Sequence, residues 1–310
     1  MAKKSGFDIY QTITERIIAE LEQGKIPWQK PWINVSEGAA VAVKHHNGEP
    51  YSLLNQMLLG CPGEYLTFNQ CQKEGGKIKK GAKSKFVVFW RMIHKPVLDD
   101  EGNPVLLKSG KPRVDTIPLL RYDNVFHIDD CEGIKPRYAV PTMPETPVTV
   151  GAVSETAEAI IAGYVERSGV QLRHVAQNRA FYRPSEDLVV LPEVSQFVAR
   201  SQYYATAMHE LTHSTGHPTR LNRLDSKASF GTEVYSKEEL VAEIGSAALM
   251  NVSGVESEET FRNSAAYIQS WLKALRDDKR MIVTASSKAE KAVNLILGKE
   301  IKTNEEQEES

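Results

Sequence analysis

Residues 209–213 read His-Glu-Leu-Thr-His, and this short motif constrains the fold more than any other part of the chain. On an α-helix, side chains four residues apart lie on one face, so His209 and His213 converge on a single point. Imidazoles at this spacing are common zinc ligands, and a catalytic zinc keeps one position for water. Glu210 is rotated by about 100° around the helix, where its carboxylate can reach that water. The motif therefore predicts a zinc hydrolase site with Glu210 as the general base.

The alternative interpretation is a surface helix that carries two histidines by chance, and the surroundings of the motif argue against it. The predicted helix covers residues 195–214, and Gly216 lies where the helix must stop. The apolar face of this helix consists of Phe197, Tyr204, Met208 and Leu211. Asp187–Pro192 reads as a preceding strand, which we expect to be the edge strand that zincin-type peptidases offer to an extended peptide. The sequence therefore predicts a buried helix beside a substrate strand.

A zinc ion needs a third protein ligand, and the sequence offers two candidates. The metzincin spacing, HExxHxxGxxH, matches Gly216 but places Thr219 where its last histidine belongs. The other candidate is Glu239, which shares a face with Glu243 on a second helix predicted to begin at Ser236. In the gluzincin arrangement the first carboxylate binds the metal and the second orients a ligand histidine.

Glu239 also has a competing structural interpretation. Ser236 and Glu239 have the spacing of a capping box, in which the glutamate bonds back to the start of its own helix. One carboxylate cannot do both, and we favour the metal because zinc otherwise lacks a ligand. Two histidines and one glutamate also suit manganese, so the predicted cofactor is Zn²⁺ with Mn²⁺ as an alternative. The group that stabilises the oxyanion is left open among Tyr235, His217 and Arg220.

Four prolines between residues 136 and 147 divide the chain, because prolines so close together exclude a helix and favour an extended linker. The predicted limits are 1–135 for the first domain, 136–152 for the linker, 153–298 for the second domain and 299–310 for an acidic tail. Helical stripes alternate with short β-rich runs in the first domain, and a few short strands precede several helices in the second. The predicted fold class is α+β in both domains.

Composition excludes several classes of protein. Hydrophobic residues make up 41% of the chain and charged residues 25%, which is typical of a soluble globular protein. No apolar stretch approaches the roughly 18 residues of a membrane span, so no membrane partner is expected. The three cysteines, Cys61, Cys71 and Cys131, show no pairing pattern. Their odd number favours a reducing, cytoplasmic location over a disulfide scaffold.

A basic and aromatic segment in the first domain indicates nucleic-acid contact. Lysines neutralise phosphates with little sequence preference, and aromatic rings stack on unpaired bases. The candidate DNA-binding residues are Lys77, Lys79, Lys80, Lys83, Lys85, Trp90, Arg91, Tyr51, Trp28 and Trp32. The competing interpretation is a solvated lysine loop beside a strand whose aromatic side chains face the core. Composition alone does not decide between the two for the lysine cluster.

The order of these motifs resembles that of the ArdC-type antirestriction proteins. The resemblance rests on Asn47–Ser52, Tyr65–Phe68, Gly75–Gly81, His209–His217 and Glu239–Gly245, and it covers about residues 9–296. Proteins of that type join a single-stranded-DNA-binding domain, related to a region of plasmid TraC primases, to a zincin-like domain. The resemblance supports Glu239 as a metal ligand.

The resemblance implies a protein of mobile elements that binds single-stranded DNA and protects incoming DNA from host restriction. A zinc-dependent peptidase would then act on a protein or peptide substrate that the sequence does not identify. Two alternatives stay open. The chain could be a single-stranded-DNA-binding protective protein with a non-catalytic metal site, or a regulatory peptidase that cleaves a repressor without contacting DNA.

Overall fold

The computed structural model describes residues 8–29, 34–35, 38–39, 41–138, 153–224, 233–255 and 265–300. Most of the predicted linker, most of the predicted acidic tail, and Trp32 lie outside the described residues. None of the described helices is both long enough and apolar enough to cross a membrane.

The first domain combines short helices with strands, as the alternation of sequence patterns predicts. Its helices are α1 (Ile9–Glu22), α2 (Leu53–Leu59) and α3 (Phe68–Lys73). Its strands are β1 (Asn34–Val35), β2 (Gly38–Ala39), β3 (Ala42–Lys44), β4 (Gly63–Thr67), β5 (Lys77–Ile78), β6 (Lys85–Pro96), β7 (Val114–His127) and β8 (Cys131–Glu132). Thr67 and Gln70 form a capping box that starts α3 directly after β4.

A four-stranded sheet with the order β3-β4-β7-β6 carries this domain. β3 is parallel to β4, and the other neighbours are antiparallel. All of β6 pairs with β7, from Lys85 opposite Val125 to Pro96 opposite Val114, and the two strands form a long two-stranded arm. Gly102 and Gly110 adopt positive φ angles in the turns beyond the end of the arm, a conformation that glycine adopts without strain.

The second domain places a small sheet on a group of helices. Its strands are β9 (Gln171–Val175), β10 (Phe181–Arg183) and β11 (Leu188–Pro192). Its helices are α4 (Glu155–Ser168), α5 (Arg200–Ser214), α6 (Glu233–Val252), α7 (Ala265–Asp277) and α8 (Met281–Ile296). The two-domain α+β architecture predicted from the sequence is confirmed.

The sheet order corrects one prediction about this domain. β11 is the strand expected at 187–192, but it lies in the middle of the sheet, parallel to β9 and antiparallel to β10. Both of its edges are therefore occupied. β10, which is also packed against α5, is the antiparallel strand at one edge of this sheet.

The two domains share a hydrophobic core. Ile13 and Ile17 of α1 belong to the same buried cluster as Leu240 of α6 and Trp271 of α7. Trp28 completes this contact, because its indole meets the ring of Trp271 edge-on at a centroid distance of 5.1 Å. The N-terminal helix therefore packs directly on the helices of the second domain.

A polar contact also joins the domains at α8. The half-buried carboxyl group of Glu290 lies near the backbone N–H of Leu53, the first residue of α2, and this N–H favours the ionised carboxylate. Removal of the carboxyl group from water opposes ionisation more strongly than the Leu53 N–H favours it, and it raises the pKa of Glu290 to about 7.

This raised pKa predicts a pH-dependent stability that Glu290→Gln removes. Because the folded pKa lies above the unfolded value of 4.5, the stabilisation is complete below pH 4.5 and is lost as the pH rises through about 7. At pH 8 we expect the variant to be more stable than wild type, by at most about 3 kcal/mol, and nearly equally stable at pH 4, below the unfolded pKa. Urea unfolding at both pH values measures this, with exposed Glu166→Gln as control. If the difference in unfolding free energy between wild type and Glu290→Gln is the same at both pH values, the raised pKa of Glu290 is contradicted.

Candidate metal centre and nucleic-acid surface

Helix α5 brings His209 and His213 together inside the second domain. It begins at Arg200, later than predicted, because Val194–Gln196 forms a separate 3₁₀ turn. His209 is 2% exposed and Glu210 4% exposed, so the surface-helix alternative is wrong. The Nε2 atoms of the two imidazoles lie 3.1 Å apart, as the i, i+4 spacing predicts.

Helix α6 places Glu239 against these two rings. Its Oε2 lies 3.6 Å from Nε2 of His209, and its Oε1 lies 3.4 Å from Nε2 of His213. α6 begins at Glu233, so Ser236 lies inside the helix and the capping-box interpretation of Glu239 is wrong. Within the described residues, these three side chains are the cluster whose ligand atoms all lie within 4.8 Å of one another.

The close approach of α6 to α5 depends on a glycine. A Cβ atom on Gly245 would lie 2.7 Å from Cγ2 of Thr212, a separation shorter than side chains tolerate. Thr212 immediately precedes His213 in α5, and Gly245 lies six residues after Glu239 in α6. The absence of a side chain at Gly245 therefore lets the two helices pack closely beside the three converging groups.

A second carboxylate lies behind each imidazole. Oε1 of Glu243 is 3.4 Å from Nδ1 of His209, longer than an ordinary hydrogen bond, and Oε1 of Glu238 is 3.2 Å from Nδ1 of His213. The sequence predicted the first of these contacts but not the second. Carboxylates in this position fix the orientation of a metal-binding ring and increase its basicity.

Arg223 holds Glu238 in place. Its Nε and Nη2 atoms donate to the Glu238 carboxylate at 2.9–3.2 Å, and its guanidinium also bonds to Thr215 and to the Thr212 carbonyl. The Arg223 side chain lies across Gly216, where a Cβ atom would meet its Cγ at 3.0 Å. The glycine that follows the histidine motif therefore makes room for the arginine that supports it.

The electrostatics of the cluster favour positive charge. Burial lowers the pKa of His213, but hydrogen bonds to Glu238 and Glu239 and the nearby Glu210 charge outweigh burial and raise it to about 10. Burial raises the pKa of Glu239, but His209 and His213 together bring it well below its usual range. Two imidazole nitrogens and a carboxylate oxygen that converge in an acidic surrounding are a donor set suited to a divalent cation.

The remaining sequence candidates near the motif have other contacts. His217 bonds to Thr219 through Nδ1 at 2.7 Å and is not part of the converging cluster of described residues, which argues against it as the third ligand. Arg220 forms an ion pair with Asp187 and also bonds to the Tyr182 hydroxyl and the Ser214 carbonyl. These bonds occupy its guanidinium and argue against an oxyanion role for it. The side chain of Tyr235 lies outside the described residues.

The five candidate DNA-binding lysines do not form one uniform surface. Lys77, Lys80 and Lys83 are exposed. Lys79 is exposed too, but its ammonium group donates to the Asp129 carbonyl at 2.6 Å. Lys85 turns inward, where its Nζ donates to the Leu59 carbonyl and lies 2.9 Å from Sγ of Cys61. Lys85 is therefore part of the structure of the domain in this conformation and is not available to a phosphate.

The candidate aromatic residues also divide. Trp28 is 2% exposed in the shared core, and Trp90 packs against the same core, as the competing interpretation expected. Tyr51 is half-buried and meets Tyr65 edge-on, with ring centroids 6.3 Å apart. Arg91 is exposed on the arm. Trp28 is not available to stack on a base in this structure.

Comparison with known proteins identifies the family. A family model described as the N-terminal domain of anti-restriction factor ArdC matches residues 7–126, and one described as a zincin-like metallopeptidase matches residues 155–288. The metal-free crystal structure of antirestriction protein ArdC from plasmid R388 is 33% identical, with a TM-score of 0.71, over 94% of this chain and 97% of that chain. The chain belongs to the ArdC antirestriction family.

Other relatives agree with this membership. The Mn(II)-bound structure of ArdC from R388 is 32% identical, with a TM-score of 0.70, over 94% of this chain and 98% of that one. The uncharacterized protein y4eC of Sinorhizobium fredii is 31% identical over 91% of this chain and 89% of its own length. Two Escherichia coli DNA primases named TraC are each 36% identical over 96% of this chain. The chain spans only 28% and 20% of those two proteins.

For this ArdC-family chain, the contacts of Glu238 predict that it supports metal binding through His213. We expect Glu238→Gln, and separately Arg223→Gln, to weaken Zn²⁺ or Mn²⁺ binding by about 10- to 100-fold, because the ring of His213 loses its charged partner. Competition with a chromophoric chelator measures the affinity. Glu186→Gln, which removes an exposed carboxylate paired with Arg183, is the matched control and should leave the affinity unchanged. Unchanged affinity in both test variants would show that Glu238 is dispensable.

Proposed function

We propose that this chain binds single-stranded DNA and hydrolyses a peptide bond with a divalent metal ion, and thereby protects incoming mobile-element DNA from host restriction. The observation that carries the proposal is the convergence of His209 and His213 with Glu239 of α6 in an ArdC-family chain. Glu210 lies beside them on the buried helix that carries both histidines. Zn²⁺ is the proposed ion, with Mn²⁺ as the alternative because an ArdC homologue has been crystallised with Mn(II). The three free cysteines favour a cytoplasmic location.

His209, His213 and Glu239 would hold the ion, and Glu210 would perform the proton transfers. A bound divalent cation supplies Lewis-acid activation of water and of the peptide carbonyl. Glu210 accepts the proton of the attacking water at its carboxylate and later delivers it to the leaving amine nitrogen. Glu238 and Glu243 keep the two imidazoles oriented from behind.

The substrate would lie along β10 rather than along β11, the strand at 188–192. β11 already has a neighbour on both sides, whereas β10 ends the sheet and packs against the helix that carries the histidines. An extended peptide that adds to β10 would gain main-chain hydrogen bonds next to α5.

Glu210→Gln tests the proposed chemistry. The variant should bind metal with unchanged stoichiometry, because Glu210 is not among the converging ligands, and should lose at least about 100-fold in peptide cleavage. Metal content and cleavage of a peptide library by mass spectrometry measure the two properties on one preparation. The control is Glu193→Gln, an exposed carboxylate just after β11. Undiminished cleavage by Glu210→Gln would contradict the role of Glu210.

A second candidate function is protection by DNA binding alone, with a metal site that does not catalyse. It is favoured by the exposed lysines of the domain that matches the N-terminal domain of ArdC. The two candidates differ in one outcome: if proteolysis is needed, Glu210→Gln abolishes protection of transferred DNA from restriction. Full protection by that variant would select DNA binding alone. A chain that binds no labelled single strand would instead favour the regulatory-peptidase alternative.

The lysine loop predicts a salt-dependent contact with phosphates. Replacing Lys77, Lys80 and Lys83 with Gln should weaken binding to a labelled single strand and reduce the log–log salt slope by about 2. Lys79 and Lys85 are left in place, because both ammonium groups bond to backbone carbonyls. The matched control replaces Lys25, Lys273 and Lys288, three exposed lysines elsewhere. Equal slopes for the two triple variants would exclude the loop as the phosphate-binding surface.

A further inference from the structure

One face of the two-stranded arm changes from core to solvent along its length. Residues directly opposite each other on paired strands point to the same face, so Phe89, Arg91, Leu119 and Arg121 share one face of the arm. Val88 and Leu120 lie on the other face and are buried in the shared core. Phe89 is apolar and lies in an apolar run of β6, yet it is 42% exposed. We call the set Phe89, Arg91 and Arg121 the arm platform.

The two arginines of the arm platform flank the exposed ring. Arg121 lies directly across from Phe89 on β7, where opposite Cβ atoms are about 4.5–5.5 Å apart, and Arg91 follows two residues later on β6. Both arginines are exposed, and neither forms an ion pair or side-chain hydrogen bond within the part of the chain that the structure describes. An aromatic ring between two unengaged guanidinium groups offers both a stacking surface and phosphate contacts.

The other charged residues on this face show where along the arm its positive charge lies. Lys95 and Asp115 are opposite each other near the outer end of the arm, so their charges offset one another. Asp123 lies opposite Val87, two residues from Arg121 along β7 on the same face, and is close enough to Tyr51 to affect its ionisation. The positive charge of this face is therefore concentrated at Arg91 and Arg121, on either side of Phe89, and Asp123 is the neighbouring negative charge on the same face.

The arm platform opens into a groove between the two domains. Phe89 and Arg91 line this groove, which has a volume of about 1050 Å³ and continues past Tyr51 to Lys291 and Asn294 of α8. None of the three converging metal-site residues lines it. The groove has room for a flexible chain that leaves the platform, and it is separate from the proposed catalytic site.

We propose that the arm platform is a single-stranded nucleic-acid site, where an unpaired base stacks on Phe89 and the adjoining phosphates contact Arg91 and Arg121. This inference rests on the proposed binding of single-stranded DNA and assigns it a surface that the lysine loop alone does not provide. A single strand suits the platform better than a duplex does, because stacking on an exposed ring requires a base whose own face is free.

The test compares two aromatic residues that are equally exposed on opposite faces of the arm. Phe89 and Tyr122 are each 42% exposed, and Tyr122 lies on the face opposite to the platform. We expect Phe89→Ala to weaken binding of a labelled oligothymidine by about 5- to 150-fold, Phe89→Trp to restore binding, and Tyr122→Ala to change it less than twofold. Arg91→Gln with Arg121→Gln should also lower the salt slope by about 1.4. Fluorescence anisotropy measures affinity, and circular dichroism verifies that each variant is folded.

The outcomes separate this inference from the function on which it rests. If the wild-type chain does not bind the oligonucleotide, the proposed DNA binding itself fails. If wild type binds and a folded Phe89→Ala binds equally well, DNA binding stands and the arm platform is overturned. The proposed role of the arm platform is also contradicted if Tyr122→Ala weakens binding as much as Phe89→Ala does. The loss of affinity would then not depend on which face of the arm carries the substitution. Loss of protein cleavage without loss of DNA affinity in Phe89→Ala would assign the platform to a protein partner instead.

Discussion

The close packing of α6 on α5 is the constraint on which the proposed chemistry depends. Two histidines one turn apart on a helix are an incomplete metal site, and the third ligand must come from another element. Gly245 allows α6 to approach Thr212, and this approach brings Glu239 within 3.6 Å of both imidazoles. The same helix supplies Glu238 and Glu243 behind the two rings. One helix–helix contact therefore supplies both the missing ligand and the groups that orient the others.

The two domains are joined by packing as well as by the chain that connects them. α1 lies in the same core as α6 and α7, and α8 packs against α2, with Glu290 near the start of that helix. α8 therefore touches the first domain on one side and α5 and α6 on the other. The groove beside the arm is bounded by both domains for the same reason. A ligand in that groove would contact the helix that also packs on the metal-bearing helices.

Local spacing explains which parts of the fold and site were predictable from the sequence. The convergence of His209 and His213, the alignment of Glu239 with Glu243 and the capping of α3 by Thr67 depend only on helix geometry or on a few neighbouring residues. The start of α6 was predicted wrongly, because Ser236 is a strong local capping signal inside a longer helix. Local signals of this kind cannot reveal a contact that forms only when the chain has folded.

The missed features all depend on distant contacts. Glu238 meets Arg223 across 15 residues, and β11 has its central place only because β9 and β10 pair with it from both sides. The run from Phe86 to Trp90 is apolar throughout, so its sequence does not show which residues face solvent. Burial shows that Trp90 faces the core and Phe89 does not. The inward turn of Lys85 follows similarly from acceptors at Leu59 and Cys61 that the lysine cluster does not reveal.

Metal K-edge absorption spectroscopy on the zinc-loaded chain tests the central claim most directly. The claim is that two imidazoles and the Glu239 carboxylate hold one divalent ion. It predicts two nitrogen ligands at about 2.0–2.1 Å with oxygen completing the shell, and a changed spectrum or lost binding in Glu239→Gln. A third imidazole in the wild-type shell, or an unchanged spectrum and affinity in Glu239→Gln, would contradict the account.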